Sequence, residues 1–448
     1  MRGRFFMVAL MVAAYAGTAA STAKKCDGCH KVKQVKASEQ QRIKIEDERK
    51  SLPLPMTGTA VPAFSTLDRD FNDLLKKWNI PGGQIAVAKN GKIVFARGYG
   101  FANVASKQPV EPDTLFRIAS VSKAITSVAA LRLIEQNKLK LEDKAFAILS
   151  DLKPCIPSTL GRSERRLQKI TIQHLLQSTA GWDRVHSGDP MFAPLVMAAA
   201  YNCSCTMRPE PTAVIRYCMD KPLDHEPGNS YAYSNLSYTV LEEIIKRKSG
   251  KTYEQYVQQE ILAPLNIKDM RLGRTLYRAP KETIYYPFPG QELAPSVFPN
   301  HKGYVPLPYG GDFALEALAG PAGWLASAPD LVRFVSAFAG EGKQPAPLSK
   351  ASIDLMFSKP KVSHWDGQDE YFAMGWDVVP VEGKLKFSRA GSLPGNMAYV
   401  VHLPNGTTYA FTVNSRPLRQ SDFSNEAKGI IQNNIAKITD CPSSEVIK

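Results

Sequence analysis

Two groups of short alternating runs lie at opposite ends of this chain, with a long helical stretch between them. Near the start, Gln84 to Ala88 and Ile93 to Ala96 flank Asn90-Gly91, a dipeptide that suits the positive φ angles of a two-residue hairpin. Near the end, Tyr371 to Val379, Leu385 to Ser388, Met397 to Leu403 and Tyr409 to Val413 read as strands, the last pair turned by Asn405-Gly406. Strands, then helices, then antiparallel strands imply one antiparallel sheet assembled from both ends of the chain. The fold class is α/β of the α+β type: a central sheet flanked by helices, plus a mostly helical subdomain over about 138–312. Leu67, Phe71, Leu74, Leu75 and Trp78 recur at helical spacing, and Phe423 to Ile438 forms a second amphipathic helix. The two ends of the body then become neighbours.

Gly98 and Gly100 are expected to open a loop leading to the chemically active stretch. The segment from about 274 to 312, rich in Pro, Gly and Tyr, reads as an irregular pocket wall. That active stretch is Phe116-Arg117-Ile118-Ala119-Ser120-Val121-Ser122-Lys123, at the start of an apolar helix. Ser120 and Lys123 are three apart, so a helix places them on one face. A serine hydroxyl needs a base. A lysine serves if burial and neighbouring positive charge lower its pKa. Backbone N–H groups at the helix start suit a developing oxyanion.

Two further stretches join it. Tyr231-Ala232-Tyr233-Ser234-Asn235 follows Glu226-Pro227-Gly228 and reads as an extended turn facing the same cleft. Tyr233 beside a lysine can shuttle a proton, and the Asn235 amide can hold Lys123 and a substrate carbonyl together. Arg389-Ala390-Gly391-Ser392 is read as the end of a strand, with Gly391 allowing close approach. The N–H groups of Ser120 and Ser392 would form the oxyanion hole.

Together these stretches resemble the serine β-lactamase and penicillin-binding-protein superfamily. The likeness is nearest to its class C-like branch of esterases, D-aminopeptidases and mitochondrial lactamase-like proteins, and it covers about 64–438. Ile80 to Gly83, His174 to Trp182 and Ala319 to Trp324 support it. The resemblance implies a β-lactamase/transpeptidase-like fold. It also implies Ser120 as acylated nucleophile, Lys123 as base and Tyr233 as partner acid or base. Substrate contacts would come from Asn235, Arg389, Gly391 and Ser392, with no metal and no cofactor. The family's third motif is usually Lys-Thr-Gly or His-Thr/Ser-Gly. Here position 390 lacks the hydroxyl and Arg389 carries a permanent charge. Arg389 is expected either to clamp a substrate carboxylate or to point away. No glutamate stands out as a deacylating base. Esterase or peptidase activity on a small-molecule or peptide substrate is therefore expected ahead of efficient β-lactam hydrolysis. The competing reading is a catalytically inactive binding or scaffold protein.

The remaining features bound the setting. Arg2 and Arg4, the apolar run Phe5 to Ala16 and the small residues Thr18-Ala19-Ala20 read as a secretory signal over 1–20. A polar linker (21–63) and a hydrolase domain (64–440) follow, with no transmembrane span in the mature chain. The protein is expected to be secreted, extracellular or periplasmic. The net charge is +14, but no basic block with interleaved aromatics appears, so nucleic acid is not an expected partner. The chain has 7 cysteines, an odd number, so one thiol is free or paired to another chain. Cys441 is expected to pair with Cys26 or Cys29. Cys26-Asp27-Gly28-Cys29-His30 matches a haem-attachment pattern, yet its polar surroundings offer no core for a haem. Oligomeric state is open.

Overall fold

The structure, a computed structural model, describes residues 54–155, 165–192, 209–342, 344–438 and 445–446, with Met197 and Ala200. The secretory signal, the Cys26–His30 pattern and the expected Cys441 pairing lie outside the described residues.

The sheet is built from both ends of the chain, as the sequence implies. Its long strands are β1 (Gly82–Lys89), β2 (Lys92–Asn103), β3 (Asp377–Val381), β4 (Lys384–Leu393), β5 (Asn396–Leu403) and β6 (Thr407–Val413). They run in the order β2-β1-β6-β5-β4-β3 within a nine-stranded sheet completed by short edge strands. Every pairing is antiparallel. Asn90 (φ 47°) and Gly91 (φ 74°) make the expected β1–β2 hairpin.

Alternation along the strands separates two apolar layers. Ile85, Val87, Tyr409 and Phe411 face one side, against helices α1 (Ser65–Lys77) and α5 (Gln420–Ile435). Trp78 closes that layer, stacking edge-on to Phe423 with its Nε1 donating to Glu426 Oε2 at 2.9 Å. The two described ends of the body are therefore neighbours. Ala86, Ala88, Ala96 and Ala410 face the other side, where small side chains let helices approach closely. Helix α2 (Ser122–Glu135) lies there and is buried almost all round, so it lacks an apolar stripe. Helix α4 (Ala328–Phe338) packs on the same face against β1 and β6, its Ser327 cap accepting from the Asp330 N–H.

Three expectations are corrected. Gly98 and Gly100 do not open a loop but lie inside β2, paired with Gln84 and Gly82. Their missing side chains leave room for the backbone of Val110 and Pro81. The run from Tyr371 to Val379 is not one strand. It is a hairpin of Tyr371–Phe372 with β3, reversed around Gly375 at φ 84°. Strand β4 does not end at Ser388 but continues to Leu393, with Arg389-Ala390-Gly391 at its middle.

Between the sheet-forming ends, Pro211–Cys218, α3 (Asn235–Ser249) and Tyr253–Val257 are helical, the last continuing as a π-turn over Gln258–Leu262. The stretch from 274 to 312 is mostly irregular, with one short strand pair, Ala294–Pro295 with Tyr304–Val305. Among the described residues no helix is long and apolar enough to cross a membrane.

Candidate active site

Ser120 is positioned from three directions. Phe116–Arg117 pairs with Trp324–Ala326, which anchors the approach. The fully buried Arg117 donates to the Pro308 carbonyl at 2.7 Å, and Asn396 Nδ2 donates to the Arg117 carbonyl at 2.6 Å. The chain then turns through Ala119 at φ 47°, a left-handed conformation rare for a residue with a side chain. A single 3₁₀ turn, Ala119–Val121, delivers Ser120 immediately before α2. Ser120 thus precedes the α-helix rather than starting it, while Lys123 lies in its first turn.

Strand β4 lies against this turn. A side chain at Gly391 would place its Cβ 2.1 Å from the Ile118 carbonyl oxygen and 2.9 Å from the Ser120 nitrogen. Only glycine permits that approach. Ser392 lines the same cleft, its hydroxyl donating to Gln420 Oε1 at 2.7 Å.

The lysine and the tyrosine converge on the serine. Lys123 Nζ lies 3.3 Å from Ser120 Oγ, and the Tyr233 hydroxyl donates to the same oxygen at 2.8 Å. Lys123 is fully buried, and its other contacts are Asn235 Oδ1 at 2.6 Å and the Pro321 carbonyl at 3.0 Å. Tyr233 precedes Ser234, whose backbone is extended. Ser234 is the N-cap of α3 and Asn235 its first residue, so the expected turn is a helix start. Arg389 Nη2 donates to the Tyr233 hydroxyl at 2.8 Å.

This packing sets the proton affinities. Burial lowers Lys123 to about 8 and the Arg389 charge adds to the fall, against the opposing pull of Tyr233 and Asp189. Burial pushes Tyr233 upward, but the positive charges of Lys123 and Arg389 outweigh it and bring the phenol down to about 8. The two groups sit beside one serine and exchange protons as a pair.

Asn235 meets Lys123 as expected but also a carboxylate, and Arg389 is paired within the protein. Asn235 is 4% exposed and does not line the Ser120 cleft. Its oxygen meets Lys123, and its nitrogen donates to Asp189 Oδ2 at 2.6 Å. Arg389 is no open carboxylate clamp. Its Nη1 reaches both oxygens of Asp377 at 3.1 Å, and its Nε donates to the Ser120 carbonyl at 3.2 Å. Asp189 and Asp377 were not found by sequence reasoning. Asp189 sits in Gly188-Asp189-Pro190, which reads as a plain turn.

The cleft over Ser120 encloses about 840 Å³, with Tyr231, Asp312, Arg416 and Lys428 among its walls. The Arg184 guanidinium covers the Tyr233 ring at 4.5 Å from its centroid. The acids of the cleft are Asp312 and Asp377. Among the described residues no group of three or more His, Cys, Asp or Glu is placed to hold a metal ion. His174 serves a helix cap, its Nδ1 accepting from the Thr171 N–H at 3.3 Å. Among the described residues Cys218 is a free, buried thiol.

Comparison with known proteins places the fold. Protein flp of Staphylococcus aureus (strain MW2) is 31% identical over 216 residues, 48% of this chain and 40% of that protein. The match thus spans well under half of the relative's own length. Esterase EstB of Burkholderia gladioli is 26% identical over 316 residues, 67% of this chain and 76% of the esterase. Among solved structures, the octameric penicillin-binding protein homologue from Pyrococcus abyssi superposes with a TM-score of 0.63 at 22% identity, over 82% of this chain and 77% of that one. D-amino acid amidase from Ochrobactrum anthropi SV3, in complex with L-phenylalanine, gives 0.61 at 17% identity, over 83% and 98%. These structural likenesses establish the β-lactamase/transpeptidase-like fold. The Beta-lactamase family model matches residues 67–429, and the chain belongs to that family.

Proposed function

We propose that this protein is an exported serine hydrolase that forms an acyl-enzyme at Ser120 and acts on esters in preference to β-lactams. One observation carries the reading: an amine and a phenol, both brought down to about 8, lie 3.3 and 2.8 Å from one serine oxygen. The deprotonated Lys123–Tyr233 pair takes the Ser120 proton as Oγ attacks the acyl carbon. The N–H groups of Ser120 and Ser392 hold the oxyanion. The same pair returns the proton to the leaving oxygen, and the C–O bond breaks. Water, giving a proton to the pair, then adds to the acyl carbon; the bond to Oγ breaks, the pair returns the proton to Ser120 Oγ, and the acid leaves.

Two features support the ester preference. The third motif carries no hydroxyl at Ala390, and its Arg389 is engaged by Asp377, so neither is free to pair with a β-lactam carboxylate. A relative matched over most of its length is named an esterase. The sequence of residues 1–20, read as a leader, supports export.

The test is steady-state hydrolysis of p-nitrophenyl esters beside a penicillin. Ester kcat/KM is expected to exceed that for the penicillin at least about a hundredfold. It should rise with pH along one limb near 8, because below it the pair keeps the proton it must give up. Arg389→Gln removes a positive charge that lowers both groups, so the limb moves upward by about one pH unit. Efficient penicillin turnover, or a limb unmoved in Arg389→Gln, contradicts the reading.

A further inference from the structure

We propose that Asp189 is a positioning residue that fixes the Asn235 amide with its oxygen on Lys123 and its nitrogen turned away from the reacting groups. The inference rests on the reading of Lys123 given above and assigns a role to a residue outside the three sequence motifs. A carboxylate accepts hydrogen bonds and an ammonium donates them, so the two ends of the amide are not interchangeable. Asn235 Nδ2 lies 2.6 Å from Asp189 Oδ2, and Asn235 Oδ1 lies 2.6 Å from Lys123 Nζ. A flipped amide would set its NH₂ against the ammonium and its oxygen against the carboxylate.

Asp189 is itself held. Its Oδ1 accepts from the Met191 N–H at 3.1 Å, and its carbonyl accepts from the Phe192 N–H at 3.1 Å, which closes the Pro190–Phe192 turn. Asp189 and Asn235 share the wall of a second cavity of about 270 Å³, with Trp182, Tyr217 and Leu236. The amide thus links Lys123 to the residues of this second cavity. The negative charge of Asp189 also favours the protonated amine. Lys123 is faced in addition by Tyr233, Arg389 and Tyr238, and Asp189 acts as well on Asp312 and Cys218.

Two variants of the full-length chain separate orientation from charge. Asp189→Asn keeps an acceptor for Asn235 and removes the charge, whereas Asp189→Ala removes both. With p-nitrophenyl acetate, Asp189→Ala is expected to lose about tenfold in kcat with KM changed less than about twofold. Asp189→Asn should stay within about threefold of the parent kcat. In both, the Lys123 titration, followed by NMR of ¹³C-labelled lysine, should move down by about half a pH unit. A merely structural role predicts a lower melting temperature with the titration unmoved, and that result overturns the proposal. A parent-like kcat in a folded Asp189→Ala protein overturns it too. If the parent hydrolyses no ester yet the titration moves, the hydrolase reading fails and the positioning role stands.

Discussion

Replacing Lys123 with alanine is expected to lower ester kcat/KM at pH 8 by about a thousandfold while the protein remains folded. Two losses combine. The amine beside Ser120 Oγ disappears, and so does the stronger of the two positive influences that hold Tyr233 down. The phenol then titrates higher and is a weaker acceptor of the serine proton at the assay pH. Stability is pulled both ways. The Pro321 carbonyl and Asn235 Oδ1 lose their buried donor, at about 1–3 kcal/mol each. Against this, a charge that burial disfavours is removed. Thermal melting should therefore shift by only a few degrees. A variant within tenfold of the parent would mean that Tyr233 alone serves as base.

Gly391→Ala is expected to damage the fold and the site together. The added carbon would sit 2.1 Å from the Ile118 carbonyl oxygen, a backbone atom that no rotamer change can move. The strain falls on the turn through Ala119, already in a left-handed conformation. A cost of about 2–3 kcal/mol follows, with a lower melting temperature. Because β4 and the Ser120 turn must separate, the N–H groups proposed for the oxyanion diverge, and activity should fall at least about a hundredfold. Parent-like melting and activity in this variant would show that β4 does not press on the serine turn.

The parts of the site that were legible in the sequence are those set by local geometry. Ser120 and Lys123 are linked by three residues of one turn, so their spacing alone brings them together. The sheet was legible because Asn90-Gly91 and Asn405-Gly406 mark hairpin turns and the runs beside them read as strands. What escaped depends on contacts made only after folding. Arg389 was read as a possible clamp because its carboxylate partner, Asp377, lies in a separate run and faces Ser388 in the β3–β4 ladder, a register that no local signal sets. Asn235 was expected to hold Lys123 and a substrate carbonyl together, and its oxygen does meet Lys123. Its carboxylate partner, Asp189, is 46 residues upstream in a turn. Gly98 and Gly100 mislead because glycine normally interrupts a strand, whereas here it admits neighbouring backbone.

The most direct test of the acylating centre is intact-mass analysis of the full chain after exposure to a fluorophosphonate. The expected result is a single phosphonyl adduct that maps to Ser120, forms faster above pH 8 than below it, and is absent from Ser120→Ala. A chain that stays unmodified across that pH range, or carries the adduct on another residue, contradicts the account.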